Sequence, residues 1–186
     1  ERRKETIHEA WKMIDSAAAA NVPTSYARIK ALEELCRYGI SLRGLDVPNA
    51  DLNYINLTKA HLIYADLRYT ELRNTNFTYA DLRIANLEGA DLRGADLRGA
   101  NISHANLKNT RLKRANLKHC LYNDRTRFPT DFYPEHHGMK FMSWYDSLFV
   151  NFTGTKYQRI IIRDRLTSLV KNLVKKLIVN PVNYIT

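Results

Sequence analysis

The sequence predicts an all-β solenoid in which the chain winds into about four square coils. One observation is a period of five residues, in which Ala-Asp-Leu or Ala-Asn-Leu triplets recur, as at residues 80–82, 85–87 and 90–92. A second is the length of the pattern, because a large apolar residue stands at every fifth position from Leu42 to Leu117. It is Leu at all but three of these sixteen positions, which are Val47, Phe77 and Ile102. A third is composition: 45% hydrophobic residues, with seven Gly and five Pro in 186, are typical of a folded chain.

A period of five fits neither the 3.6 residues of a helical turn nor the two-residue repeat of a strand. A small residue two places before each large one requires a backbone that turns once per unit and points both side chains inward. Four such turns close a square coil of twenty residues, and stacked coils pair like parallel strands about 4.8 Å apart. The sixteen units in residues 40–122 therefore predict four coils, a rod about 20 Å tall.

Two helices are predicted before the repeat, over residues 6–20 and 25–38. The second has an apolar stripe at helical spacing and begins after Ser25, which is suited to capping its first turn. An uncovered end of a β-helix exposes unpaired backbone groups that promote aggregation. We therefore expect residues 1–39 to form a helical N-terminal cap.

The last segment, residues 156–186, is predicted to be a basic amphipathic helix. Three interpretations stay open: the helix lies on an anionic membrane surface, docks to an acidic partner or to the same helix of a second chain, or folds back along the rod. The basic residues that would make a membrane or partner contact are Arg159, Arg163, Lys171, Lys175 and Lys176.

The repeated A(D/N)LXX pattern resembles that of the pentapeptide-repeat family. The resemblance implies a right-handed quadrilateral parallel β-helix with ladders of Leu and Phe inside. The stretch from Trp11 to Asp46 is similar to the N-terminal flank of cyanobacterial-type members, and residues 126–139 are similar to the loop after their last coil. The latter implies that residues 123–155 form a C-terminal capping loop, whose plugging side chains are Phe128, Phe132 and Tyr133.

Residues twenty apart stack on one face of the predicted rod, so its surface can be deduced from sequence. Arg73, Arg93 and Lys113 form one column, and Arg114 lies beside it. These four cations are candidates for binding a protein partner. The alternative is a solvated surface on which acidic residues pair with neighbouring basic ones and contribute little.

Tyrosines follow the large apolar residue by two places at several units, and Tyr64, Tyr69 and Tyr79 are further candidates for partner binding. The same position one coil after Tyr69 is Gly89, and one coil after Tyr79 it is Gly99. Packing of each ring across that glycine is the alternative interpretation.

The chain has 29 Lys and Arg against 19 Asp and Glu, a formal charge of +10, which favours an anionic partner. Some pentapeptide-repeat proteins are acidic mimics of DNA that bind gyrase, but residues 40–122 have twelve basic and eight acidic residues, the wrong sign for that role. No nucleic-acid motif is present, and we do not expect nucleic acid as a partner. Neither do we expect catalytic residues, a cofactor or a metal, because catalytic and metal-binding motifs are missing from the sequence.

The sequence thus predicts a non-enzymatic scaffold that binds another protein through its β-helix, while the basic tail docks to a membrane surface or an acidic partner. One alternative is a peripheral membrane module in which the tail does the work. Another is a soluble regulatory domain of a larger membrane protein, favoured by a chain that begins at Glu1 rather than Met. We expect a location in the cytoplasm or on the cytoplasmic face of a membrane, with a homodimer through the terminal helix as an alternative assembly.

Overall fold

The repeat winds into a parallel β-helix whose coils each contain twenty residues. The structure is a computed structural model that describes residues 2–20 and 25–142. Parallel bridges join residues twenty apart on all four sides of the coil, and one column runs Asp51, Glu71, Asp91 and Arg111. The bridges have one residue per side rather than long strands, because the backbone turns again after every fifth residue. The predicted square coil is therefore present.

A tight turn at every unit makes the corners of the coil. The carbonyl of each large apolar residue accepts a hydrogen bond from the amide three residues later, as between Ala90 N and Leu87 O at 3.0 Å. The residue before that amide has positive φ throughout the repeat, with Gly89 at 70° and Tyr79 at 59°. A positive φ at the third residue and this hydrogen bond are features of a type II turn. Glycine adopts this conformation without strain, whereas tyrosine does not.

The core is a stack of inward-pointing side chains, one large and one small from most units. Leu52, Leu72 and Leu92 are fully buried on one side, and Phe77 is the largest side chain in the interior of the described residues. The residues two places earlier are mostly alanines buried at the corners, although Leu45 and Ile55 hold that position, also buried, in the first coil. Threonine replaces alanine at position 70, and its hydroxyl donates to Leu67 O at 2.6 Å. That bond satisfies a polar group which would otherwise be costly to bury.

The Asp or Asn that stands before most of the large residues also has a structural cause. Its side-chain Oδ1 accepts a hydrogen bond from the backbone amide two residues later, as from Arg93 N to Asp91 at 3.2 Å and from Lys108 N to Asn106 at 3.2 Å. Short side chains that carry an acceptor oxygen make this local bond, and longer ones do not. The bond explains why the second position of the repeat is Asp or Asn.

Two helices precede the β-helix: α1 covers Arg2–Ala19 and α2 covers Tyr26–Arg37. Ser25 accepts a hydrogen bond from Arg28 N and caps α2, as its sequence position predicts. Leu32 and Leu35 of α2 are fully buried in the same apolar cluster as the first coils. Glu33 accepts a hydrogen bond from Asn56 N at 3.0 Å. In later coils the equivalent amide bonds to the preceding coil, so Glu33 satisfies an edge amide of the first coil.

After the last coil, short elements continue the pairing. Strand β1, Leu121–Tyr122, is parallel to strand β2, Lys140–Phe141, and a 3-10 turn covers Pro134–His137. Phe128 stacks on Phe132 with ring centroids 5.0 Å apart, and both pack against the core. Tyr133 differs from the expectation that it plugs this end, since it is 53% exposed and lies beside His136 instead.

The rest of the predicted capping loop, residues 143–155, and the predicted amphipathic helix, residues 156–186, lie outside the described residues. The five tail cations proposed to dock to a membrane or partner lie outside them too. Within residues 2–20 and 25–142, neither helix has the length and apolar character that crossing a bilayer requires.

Candidate functional site: a basic groove on one face of the β-helix

The four cations predicted from sequence come together on one face. Arg73, Arg93 and Lys113 occupy equivalent places in successive coils, because Glu71, Asp91 and Arg111 two residues before them form one bridge column. They line a groove of about 360 Å³. We call this the basic groove, and its lining residues are Arg73, Asn74, Arg93, Gly94, Lys113 and Arg114.

A missing side chain helps to form the groove. Asn74, Gly94 and Arg114 stack at the corner where this face ends, and each has positive φ. Gly94 contributes no side chain between its two neighbours. The amide oxygen of Asn74 lies over Gly94, in the space that a Cβ there would need. The corner is therefore recessed at the middle coil, while arginine and lysine side chains stand above and below it.

Asp91 anchors the arginines of the groove from below. Its side chain is only 6% exposed, and its carboxylate accepts from Arg73 Nε at 2.8 Å and from Arg93 Nε at 2.8 Å. Arg111 Nη1 lies 3.7 Å from the same carboxylate. The hydrogen bonds from Arg93, followed by those from Arg73, hold the pKa of Asp91 well below its usual range despite burial. One buried carboxylate thus orients two guanidinium groups and attracts a third.

The charge of the groove is not balanced. Five cations meet there, at positions 73, 93, 111, 113 and 114, and only Glu71 and Asp91 oppose them. On this face, the residue directly before the large apolar one is acidic in the first three coils. In the fourth coil it is Arg111. The backbone carbonyl of Lys113 accepts a hydrogen bond from Gly94 N, but the side chains of Lys113 and Arg114 have no ion-pair or hydrogen-bond partner among the described residues. The groove therefore offers uncompensated positive charge near the end of the β-helix.

Asp91 and Gly94 were missed by sequence reasoning, although both left a signal. Asp91 is followed by Arg93 and faces Arg111 in the next coil, so a column alignment places one acid among several bases. Gly94 is the one glycine in a corner column that otherwise has Tyr54, Asn74 and Arg114. A gap in an otherwise filled column indicates a recess.

The three candidate tyrosines do not form one surface. Tyr64, Tyr69 and Tyr79 follow three different sides of the coil, so they project from three different corners. Tyr69 lies across Gly89 and Tyr79 across Gly99, where an added Cβ would overlap each ring. The guanidinium of Arg43 stacks over Tyr64 at 4.6 Å. Each ring thus has one face packed, and a flat partner cannot contact all three at once.

Catalytic groups do not converge at the groove, since its lining consists of Arg, Lys, Asn and Gly. Burial raises the pKa of the Cys36 thiol to about 11 and that of Cys120 to about 12, so both are protonated near neutral pH. In residues 2–20 and 25–142 there is no cluster of three His, Cys, Asp or Glu side chains that could hold a metal ion. The groove is suited to binding an anion.

A model of the family described as pentapeptide repeats matches the chain in eight copies, over residues 40–78 and 80–119. These are the residues that wind into the coils. The chain belongs to the pentapeptide repeat family. Membership accounts for the square coil and identifies its hand, because the β-helices of this family are right-handed and quadrilateral.

Solved structures of other pentapeptide repeat proteins are similar to the chain. One from Nostoc PCC 7120 is 31% identical over 63% of this chain and 96% of its own, with a TM-score of 0.35. One from the thylakoid lumen of Arabidopsis thaliana is 26% identical over 70% of this chain and 78% of its own, with a TM-score of 0.36. HetL, which is involved in heterocyst differentiation regulation in Nostoc PCC 7120, is 28% identical over 50% of this chain and 53% of its own, with a TM-score of 0.28. No curated protein sequence is significantly similar to the chain.

Proposed function

We propose that this protein is a non-enzymatic scaffold that binds another protein through the basic groove of its β-helix. Pentapeptide repeat proteins are generally structural or protein-binding rather than enzymatic. The observation that carries the proposal is the convergence of Arg73, Arg93, Lys113 and Arg114 in one recess. The β-helix supports this role, because its coils are hydrogen-bonded to one another and Asp91 holds two of the arginines in place. Binding loses less entropy when the contact groups are already ordered.

Lys113 and Arg114 provide the sharpest test of the proposal. Arg73 and Arg93 bond to the buried Asp91, so reversing their charge would place a second carboxylate beside it and destabilise the fold. Lys113 and Arg114 are exposed and have no such partner among the described residues. Their reversal changes the surface and leaves the core intact.

The experiment is affinity capture from extracts of the native source with three forms of the full chain as bait. We expect a protein that is captured by the unaltered chain and lost from Lys113→Glu/Arg114→Glu. Lys59→Glu/Lys108→Glu is the matched control, since it makes the same change of net charge with exposed lysines outside the groove. Capture that is equal on all three baits, or lost equally from both variants, contradicts binding through the groove.

We further propose that the tail docks the scaffold to an anionic membrane surface on the cytoplasmic side. Support comes from the sequence alone, in which basic residues alternate with apolar ones at helical spacing over residues 156–186. An acidic partner, or a homodimer through this segment, would use the same residues.

Flotation of the full chain with anionic vesicles tests membrane docking. We expect flotation at low salt, release at high salt, and loss of flotation in Lys171→Glu/Lys175→Glu/Lys176→Glu. Neutral vesicles serve as the control for apolar adsorption. A full chain that does not float on anionic vesicles at low salt contradicts docking to the membrane.

A further inference from the structure

We propose that the basic groove binds an acidic α-helix of the partner protein, laid along the axis of the β-helix. The inference rests on the proposed function and adds the chemistry and geometry of the partner. It follows from the donors of the groove, the spacing of its cations and the charges that surround it.

The donors of the groove fit carboxylates. Arg93 uses Nε and Nη2 to bond Asp91, and Arg73 uses Nε for Asp91 and Nη2 for Glu71. A guanidinium has five N–H donors, so the Nη1 group of each arginine remains to bond an incoming acceptor. Both side chains are about two-fifths exposed. Charged donors of this kind bind carboxylates through short, strong hydrogen bonds.

The spacing of the cations fits a helix. Arg73, Arg93 and Lys113 are one coil apart, so the column spans two coil steps, about 10 Å. Acidic residues at positions i, i+3 or i+4, and i+7 lie on one face of a helix and span about 10.5 Å. Three residues on one face of an extended strand span about 13 Å, which does not match the column. Each cation of the column can therefore meet one carboxylate of a helix.

The charges around the groove disfavour a long polyanion. On the next side of the coil Asp96 bonds to Arg98, and on the preceding side Asp66 bonds to Arg68. Both arginines are thus already bonded to carboxylates. The exposed lysines in the columns of these two arginines lie only in the last coil, and they are Lys118 and Lys108. A nucleic acid that extended beyond the groove would meet those acidic groups, whereas binding of nucleic acid requires a row of basic contacts to phosphates. A short helix occupies the groove alone.

Fluorescence anisotropy with the full chain tests the inference. The probe is a labelled alanine-rich peptide that has Glu at helical i, i+3 and i+7 spacing. A permuted peptide of equal composition, with its Glu residues spread around the helix, tests the spacing, and a single-stranded oligonucleotide of equal charge tests for phosphate. We expect the first peptide to bind at low salt, at least about threefold more tightly than the permuted peptide and than the oligonucleotide.

Charge reversal locates the contact. Lys113→Glu/Arg114→Glu should weaken peptide binding at least about tenfold, which is about 1.4 kcal/mol. Lys59→Glu/Lys108→Glu should weaken it less than about threefold, because long-range attraction alone is screened by salt. Thermal melting checks that both variants fold. If Lys113→Glu/Arg114→Glu does not fold, the neutral Lys113→Gln/Arg114→Gln is used in its place.

Several results would overturn the inference. They are absence of peptide binding at low salt, equal binding of the permuted peptide, tighter binding of the oligonucleotide, or equal weakening in the two charge-reversal variants. If the peptide fails but capture of a partner still depends on Lys113 and Arg114, the proposed function stands and only the acidic helix is wrong. If the peptide binds but no groove-dependent partner is captured, the proposed function fails by itself.

Discussion

Asp91 shows how a single residue links the stability of the β-helix to its surface chemistry. Its carboxylate is buried, yet it stays ionised because Arg93 and Arg73 donate to it. The charge that makes the groove attractive to anions is thus held in position by one acid beneath it. Removing that acid should disturb both properties.

Asp91→Asn should lower the free energy of unfolding by about 1–3 kcal/mol at neutral pH, because hydrogen bonds to a charged acceptor are lost. The lowered pKa of Asp91 means that the folded state binds fewer protons than the unfolded state. Stability from this group is therefore complete above the unfolded carboxyl pKa and is lost as the pH falls below about 4. Urea denaturation of both proteins at neutral and acid pH measures the effect.

The difference in the free energy of unfolding between the unaltered chain and Asp91→Asn should become smaller at acid pH. Asp124→Asn is the control, since Asp124 is exposed and lies at a loop after the last coil. A loss as large in Asp124→Asn as in Asp91→Asn, or a difference that does not depend on pH, would contradict the role assigned to Asp91.

Two glycines that share the same position within the five-residue unit allow the effect of backbone strain to be distinguished from that of side-chain packing. Gly44 and Gly99 have φ of 71° and 65°, so alanine at either should cost about 1–2 kcal/mol in backbone strain. Nothing lies within 4 Å of a Cβ at Gly44, but at Gly99 it would lie 2.6 Å from the ring of Tyr79. Gly99→Ala should therefore be the more destabilising change, by about 1 kcal/mol.

Chemical denaturation of the two variants measures this difference. Adding Tyr79→Ala should bring the cost of Gly99→Ala down to that of Gly44→Ala, because the ring that the methyl group displaces is gone. Equal costs in the presence of Tyr79 would show that the ring moves freely and does not pack on the next coil.

At the scale of elements, helix α2 is part of the same core as the first coils. Leu35 is fully buried there, and Glu33 bonds a backbone amide of the first coil. Leu35→Ala should reduce the free energy of unfolding by about 2–5 kcal/mol through the lost contacts and the cavity that remains. Met13→Ala on α1 is the control, since Met13 is exposed and should change stability by less than about 0.5 kcal/mol.

One cooperative transition by circular dichroism is expected for both of these variants. An early transition that involves only helical signal in Leu35→Ala would contradict a shared core, since the helices would then melt separately from the coils.

The elements differ in how far sequence predicts them. The coils are predicted well because every unit repeats one local rule, a large residue inward, a small residue at the corner and an Asp or Asn that bonds the backbone. The helices are predicted to within a few residues, since α1 begins at Arg2 rather than at residue 6. The position of Tyr133 was not predictable, because Phe128, Phe132 and Tyr133 are similar in character and only the fold decides which of them is buried.

The site was predicted only in part, for the same reason. The twenty-residue period places Arg73, Arg93 and Lys113 in one column without any knowledge of side-chain contacts. It does not say that Asp91 binds both arginines, or that a recess opens at Gly94. These depend on the rotamers and corner geometry of neighbouring coils. For the tyrosines, the five-residue unit alone is misleading. Tyr64, Tyr69 and Tyr79 share one position within the unit, yet they lie at different corners of the coil.

For the molecule as a whole, the repeat provides a hydrogen-bonded support. A few departures from the repeated pattern provide the charged surface. Most acidic residues of the coils bond to an arginine two places later on the same side, as in Asp66 with Arg68 and Asp96 with Arg98. Such exposed pairs contribute little to stability or to attraction at a distance. The departure from this pattern at Arg111, Lys113 and Arg114 makes one end of one face different from the rest.

Photo-crosslinking in cells of the native source tests whether the basic groove contacts a partner protein. A photoreactive amino acid at Asn74 lines the groove without altering its cations, and one at Asn109 occupies an equivalent exposed turn at another corner. If a partner binds the basic groove, we expect a crosslinked protein from position 74 that is absent from position 109 and is lost when Lys113 and Arg114 are changed to Glu. The same crosslinks from both positions, or none from position 74, would contradict binding through the basic groove.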